Sequence, residues 1–153
     1  MEKSVSELIQ SFGQLFDLHE VDVKTYSPLT LAYIGDGVYE LIIRTILVSQ
    51  GNSQANKLHQ RASHLVKASA QAAMSEVLKD ELTEEELAVF KRGRNAHSGT
   101  MAKHATMSDY RRATGFEALM GYLYLQNEWE RMFYLVKQGL TKGELLCDTK
   151  HLP

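Results

Sequence analysis

The chain is 153 residues long, with 44% hydrophobic and 24% charged residues and a net charge of −2, an ordinary balance for one globular domain able to bury its own core. Cys147 is the single cysteine, which excludes an internal disulfide and fits a reducing compartment. No basic-then-apolar leader opens the sequence and no apolar run approaches the roughly 20 residues of a membrane helix, so a cytoplasmic protein with no membrane partner is expected.

Helix signals follow one another along the chain. Ser4 and Glu7 form a capping-box pattern ahead of Val5, Leu8, Ile9, Phe12, Leu15 and Phe16 at helical spacing. Ser27-Pro28 reads as an N-cap followed by proline at the first helical position, which opens a helix over about 28–49 that Gly51 stops. Asn52 is expected to cap one long alanine-rich helix over about 53–79, and Thr83 with Glu86 to box the start of a shorter helix ending near Arg92. The breakers Gly93, Asn95, Ser98 and Gly99 predict an irregular stretch over 93–107. Ser108 is then expected to cap a helix to about Gln126, and a last helix to cover about 128–140. No period-2 segment of useful length occurs. The expected fold is all-α, a single-domain helical bundle over 1–140 with a polar C-terminal tail over 141–153.

Charge is unevenly spread. Glu76, Asp80, Glu81, Glu84, Glu85 and Glu86 face a single base, Lys79, whereas Lys91, Arg92, Arg94, Lys103, Arg111 and Arg112 face a single acid, Asp109. Such runs are either solvated faces or, for the basic one, a strip that contacts phosphates, since local potential and not net charge attracts a polyanion.

The oddest local feature is Gly35-Asp36-Gly37 inside the apolar stretch from Leu29 to Val48. Two interior glycines each cost a helix about 1 kcal/mol relative to alanine, and a carboxylate in apolar surroundings needs a partner. The glycines either admit a close-packed helix or, with Asp36, serve a metal or catalytic site. Glu40 lies four residues on and shares the Asp36 face, where like charges repel unless a cation intervenes. Glu117 is a further carboxylate in an apolar helical stretch, and two such acids on separate helices suit a hard cation such as magnesium.

These residues carry a resemblance. Tyr33-Ile34-Gly35-Asp36-Gly37-Val38 resembles the Phe-Leu-Gly-Asp-Ala/Ser-Val core of the ribonuclease III signature. Ala113-Thr114-Gly115-Phe116-Glu117-Ala118-Leu119-Met120-Gly121 is similar to that family's second motif, Ala-Asp-Ala-Phe-Glu-Ala-Leu-Ile-Gly, in the right order and about 80 residues away. The likeness covers about Ser27 to Leu140. The family usually has a Glu four residues before the signature Asp, where this chain has Ala32, and an Asp three residues before the second-motif Glu, where it has Thr114. With those changes, and no double-stranded-RNA-binding domain following, the sequence looks like the Mini-ribonuclease III branch, whose members are active nucleases.

The resemblance implies a ribonuclease III-like endonuclease domain that acts as a homodimer, with Asp36 and Glu117 as catalytic residues and ligands of Mg2+ and Glu40 in reserve. It implies cleavage of double-stranded RNA to 5′-phosphate and 3′-hydroxyl ends, with precursor 23S ribosomal RNA as substrate and a ribosomal protein as a further candidate partner. Tyr33 is expected either at the dimer seam or as a core aromatic. For RNA contact, the loop expected around Gly93 nominates Lys91, Arg92, Arg94, Asn95, His97, Lys103 and His104, residue types that suit phosphates and 2′-hydroxyls. Two other readings stand beside this one: a catalytically inactive RNA- or ribosome-binding module of the same fold, and a helical interaction protein whose Gly-Asp-Gly helix is a packing seam.

Overall fold

The apolar spacing at the start of the chain does form a helix, α1 (Ser6–Leu15), in the computed structural model, which describes residues 6–96 and 106–145. Its apolar face finds little of the domain to cover it, for Leu8, Phe12, Leu15 and Phe16 all stay exposed. Next, the Ser27 hydroxyl accepts a hydrogen bond from Thr30 N at 3.2 Å and Pro28 opens α2 (Pro28–Ser49), which ends before Gly51 at φ +121°. That helix has the bounds its caps announce.

The alanine-rich region differs from expectation. It forms two helices, α3 (Ala55–Val66) and α4 (Ala68–Leu78), separated by Lys67 in an extended conformation (φ −64°, ψ 156°). Gln54, not Asn52, is the N-cap of α3. No glycine or proline marks the break. Its reason is tertiary: Tyr39 of α2 donates to the Leu65 carbonyl at 2.6 Å and packs edge-on against Phe116 at 5.1 Å, pinning the end of α3 to the core.

The Thr83–Glu86 capping box starts α5 (Glu84–Asn95), with Glu86 N donating to the Thr83 hydroxyl at 3.2 Å and Thr83 N to Glu86 Oε1 at 2.8 Å. This helix continues through Gly93 to Asn95, so the first part of the expected irregular stretch is helical. Thr106, two residues before the expected Ser108, caps α6 (Met107–Leu125) by accepting from Asp109 N at 3.0 Å. The last helix, α7 (Trp129–Lys142), runs two residues past its expected end, where Lys142 pairs with Glu81 at 3.0 Å.

All-α architecture is therefore what the sequence expects and what forms, with seven α-helices and no strand among the described residues. Among those residues no helix is long and apolar enough to cross a membrane. The central element is α6. Phe116, Ala118, Leu119, Met120 and Leu123 are buried between α2, α4 and α5, and Met132, Leu135 and Leu140 of α7 close the core from another side.

The acidic run is not merely a solvated face. Glu86 is 4% exposed, and Arg131 of α7 reaches it at 2.8 and 3.0 Å while also donating to the Glu81 carbonyl at 2.6 Å. Burial alone would push the Glu86 carboxyl up, but the Arg131 and Thr83 hydrogen bonds outweigh it and hold the group below its usual 4.5. Arg131→Met should cost about 3 kcal/mol in urea unfolding at neutral pH, since one partner of a buried pair is left uncompensated. Glu86 is depressed in the folded state, so its stabilisation is present above about pH 4.5 and lost as pH falls further. The gap between wild type and Arg131→Met should narrow in acid; a constant gap would show that Arg131 acts by packing alone.

Candidate active site

Asp36 and Glu117 come together because two helices touch through their backbones. A Cβ placed on Gly35 would lie 1.7 Å from the Glu117 carbonyl oxygen, and one on Gly121 would lie 2.0 Å from the Leu31 carbonyl oxygen. Only glycine at both positions lets α2 and α6 cross this closely. The crossing sets Asp36, the residue after Gly35, beside Glu117. Gly37 has a different role, since nothing lies within 4 Å of where its Cβ would be.

The electrostatics follow from this geometry. Glu117 is partly buried, and burial first, then the charge of Asp36, raises its pKa from 4.5 to about 8, against an opposing hydrogen bond from Gln71. Asp36 is exposed by area, yet desolvation by its surroundings, followed by the charge of Glu40, raises its carboxyl above the usual value. No described basic side chain forms an ion pair with either acid. Two carboxylates held close enough to repel each other are a site that favours a cation.

Glu40 is set apart from them by its own partner. Arg44, one turn on, pairs with it at 3.1 Å on the surface of α2, so it bears on the site chiefly through its charge on Asp36. Ala32 is buried in the core, 6% exposed, and the Thr114 hydroxyl donates back to the Tyr110 carbonyl at 3.0 Å. Neither position where the family usually carries an acid offers a ligand here. Among the described residues no three His, Cys, Asp or Glu side chains gather into a metal-holding group. The chain thus supplies two carboxylate arms, a donor set that fits a hard cation such as magnesium, which takes oxygen ligands and keeps several waters.

The basic strip is arranged otherwise than expected. Gly93 is not in a loop that approaches phosphates; it is buried in α5, where a Cβ would meet Ala118 Cβ and Gly115 Cα at 2.9 Å. That expectation is overturned, because the glycine serves helix packing. Lys91, Arg92 and Asn95 are exposed on α5, and Arg94 stacks 5.9 Å over the Phe90 ring while bonding Asn95 Oδ1 at 3.2 Å. His97, Lys103 and His104 lie outside the described residues. Arg112, in the same charge run, is committed to Glu76 at 3.6 Å. Tyr33 is 82% exposed, which excludes the core alternative for its ring. Gln71, buried beside Glu117, is the site residue that sequence reasoning missed; one amide in an alanine-rich helix carries no motif.

The profile described as "Ribonuclease III domain" matches residues 29–128, a span that holds both crossing glycines and both carboxylates. Among curated relatives, Mini-ribonuclease 3 of Clostridium tetani is 51% identical over 76% of this chain and 78% of its own length. Mini-ribonuclease 3 of Enterococcus faecalis is 48% identical over 79% and 93%. A crystal structure of a Fusobacterium nucleatum protein superposes with a TM-score of 0.72 at 30% identity, covering 82% of this chain and 99% of that one. The chain belongs to the Mini-ribonuclease 3 family and is an endoribonuclease.

Proposed function

We propose that this endoribonuclease cuts double-stranded RNA as a cytoplasmic homodimer, with magnesium held by Asp36 and Glu117, and that it matures the ends of precursor 23S ribosomal RNA. The observation that carries the reading is the position of α6. It packs backbone-on-backbone against α2, which brings Asp36 to Glu117, and closely against α5, the helix that carries the exposed bases Lys91 and Arg92. One rigid helix thus ties the acidic pair to a strip suited to phosphates. For the dimer, the support is an unusual apolar surface along α2, where Leu29, Tyr33, Leu41 and Val48 are all exposed.

Each group then has a task. Lys91 and Arg92 contact phosphates of the duplex, with Arg94, Asn95, His97, Lys103 and His104 as the further RNA contacts, and the groove of the dimer supplies shape recognition across the minor groove. Asp36 and Glu117 would hold the cation between α2 and α6. Magnesium, when bound, polarises that phosphate and lowers the pKa of an attacking water. A cation would need the charged form of Glu117, which burial and the Asp36 charge disfavour, so cation affinity should rise with pH.

A long RNA duplex in low salt with magnesium should be cut to fragments with 5′-phosphate ends, with no product in EDTA or from a single strand of the same sequence. Equal cutting of the single strand would overturn the duplex reading. The double change Lys91→Ala with Arg92→Ala should reduce the slope of log affinity against log salt by about one unit for each phosphate that is no longer neutralised. Cleavage should suffer through KM while kcat is kept. An unchanged slope would remove both side chains from the RNA interface.

A further inference from the structure

The break between α3 and α4 leaves one carbonyl without its helical partner. In an unbroken helix the Val66 oxygen would accept from Ala70 N, but here Ala70 N and Gln71 N both bond Lys67 O, at 3.0 and 3.1 Å. The Gln71 side chain takes the vacated place, its Nε2 donating to Val66 O at 2.8 Å. That bond anchors an amide that is 1% exposed.

An amide nitrogen carries two hydrogens. With one held by Val66, the Gln71 amide lies near enough to the Glu117 carboxylate to favour its charged form against burial and the Asp36 charge. Its Oε1, equally buried, has no partner among the described residues. A cap for Val66 needs only one N–H, and it gives no reason to bury a whole amide against an acid with its acceptor left open. A buried acceptor without a partner would suit an O–H of a water, and a cation held by Glu117 would keep several.

We propose that Gln71 is a positioning residue for the metal site: anchored on the carbonyl freed by the α3–α4 break, it holds the Glu117 carboxylate toward Asp36 and thereby sets cation affinity. The inference rests on the metal reading of Asp36 and Glu117. Partners that orient ligands typically change metal affinity or activity by about 10–100-fold when removed. Gln71 would do so from a helix that bears no ligand of its own.

The test is Mn2+ binding by electron paramagnetic resonance on the full-length protein without RNA, comparing wild type, Gln71→Met and Asp36→Asn. Methionine matches the volume and flexibility of glutamine but cannot donate. Gln71→Met should bind Mn2+ about 10-fold or more weakly. The magnesium concentration for half-maximal cleavage should rise by the same factor, with KM for duplex RNA unchanged. Gln71→Asn keeps the amide on an arm one methylene shorter, so it serves should the methionine variant fail to fold, and it too should bind more weakly. Wild-type Mn2+ affinity in a folded Gln71 variant would overturn the inference and leave Gln71 as a cap for Val66. Binding that is absent in wild type, or that survives Asp36→Asn, would overturn the metal reading and this inference with it.

Discussion

Replacing Glu117 by Gln should lower cleavage by about 10³-fold, or about 4 kcal/mol of barrier, and at the same time make the metal-free protein more stable at pH 8. The two effects have one cause. Burial and the nearby Asp36 raise the Glu117 pKa to about 8 in the folded chain, against 4.5 when unperturbed. The folded state therefore holds this proton more tightly than the unfolded state. Below about pH 4.5 both states are protonated and the group costs nothing. As pH rises toward 8 the unfolded chain ionises first, and folding stability falls. Glutamine removes that loss, so chemical unfolding across pH 5–9 without divalent ions should give a flatter profile for the variant. Magnesium should stabilise the wild type and leave the variant unmoved, because only the wild type gains a ligand. A variant less stable than wild type at pH 8 would mean that Glu117 is held by partners and not strained by burial and the Asp36 charge.

Gly35→Ala should be the most disruptive small substitution in the chain. Its Cβ would fall 1.7 Å from the Glu117 carbonyl oxygen and 2.7 Å from Gly121 N, both backbone atoms that cannot swing aside. The helices must part, at a cost of about 3 kcal/mol or more. Parting them also moves Asp36 from Glu117, and displacements near 1 Å can cost about 10²-fold in rate, so cleavage should be lost even at temperatures where the variant stays folded. Gly37→Ala is the internal comparison. Within one chain nothing outside its own helix lies within 4 Å of its Cβ position, and alanine favours helix by about 1 kcal/mol. Melting temperatures should therefore move in opposite directions for two glycines two residues apart. Should both variants melt alike, the crossing does not depend on Gly35.

This contrast shows where the sequence is readable. Ser27, Pro28 and Gly51 define α2 because caps and breakers act locally, and Asp36 and Glu117 stand out because a carboxylate in an apolar helix is costly wherever it occurs. Gly93 shows the opposite case. As a local signal it reads as a breaker, yet its missing Cβ is what lets α5 lie on Gly115 and Ala118, and tertiary contact overrides propensity. The break at Lys67 carries no glycine or proline to announce it, and Tyr39, 26 residues before Leu65, pins the end of α3 beside it. For the same reason Arg131, 45 residues from Glu86, and Gln71, bonded to a carbonyl exposed by an unforeseen break, leave no pattern in the chain. Motifs reveal the reacting acids; the groups that hold and tune them emerge only with the packing.

The measurement that bears most directly on the central claim is cleavage of a long RNA duplex in low salt with magnesium, wild type beside Asp36→Asn, both confirmed as folded and of equal oligomeric state. The substitution removes one negative charge and hardly alters the shape of the side chain. The expected result is cutting by the wild type and a loss of about 10³-fold in the variant, with duplex binding retained. Equal cutting by both would contradict the account and return Gly35-Asp36-Gly37 to a packing seam.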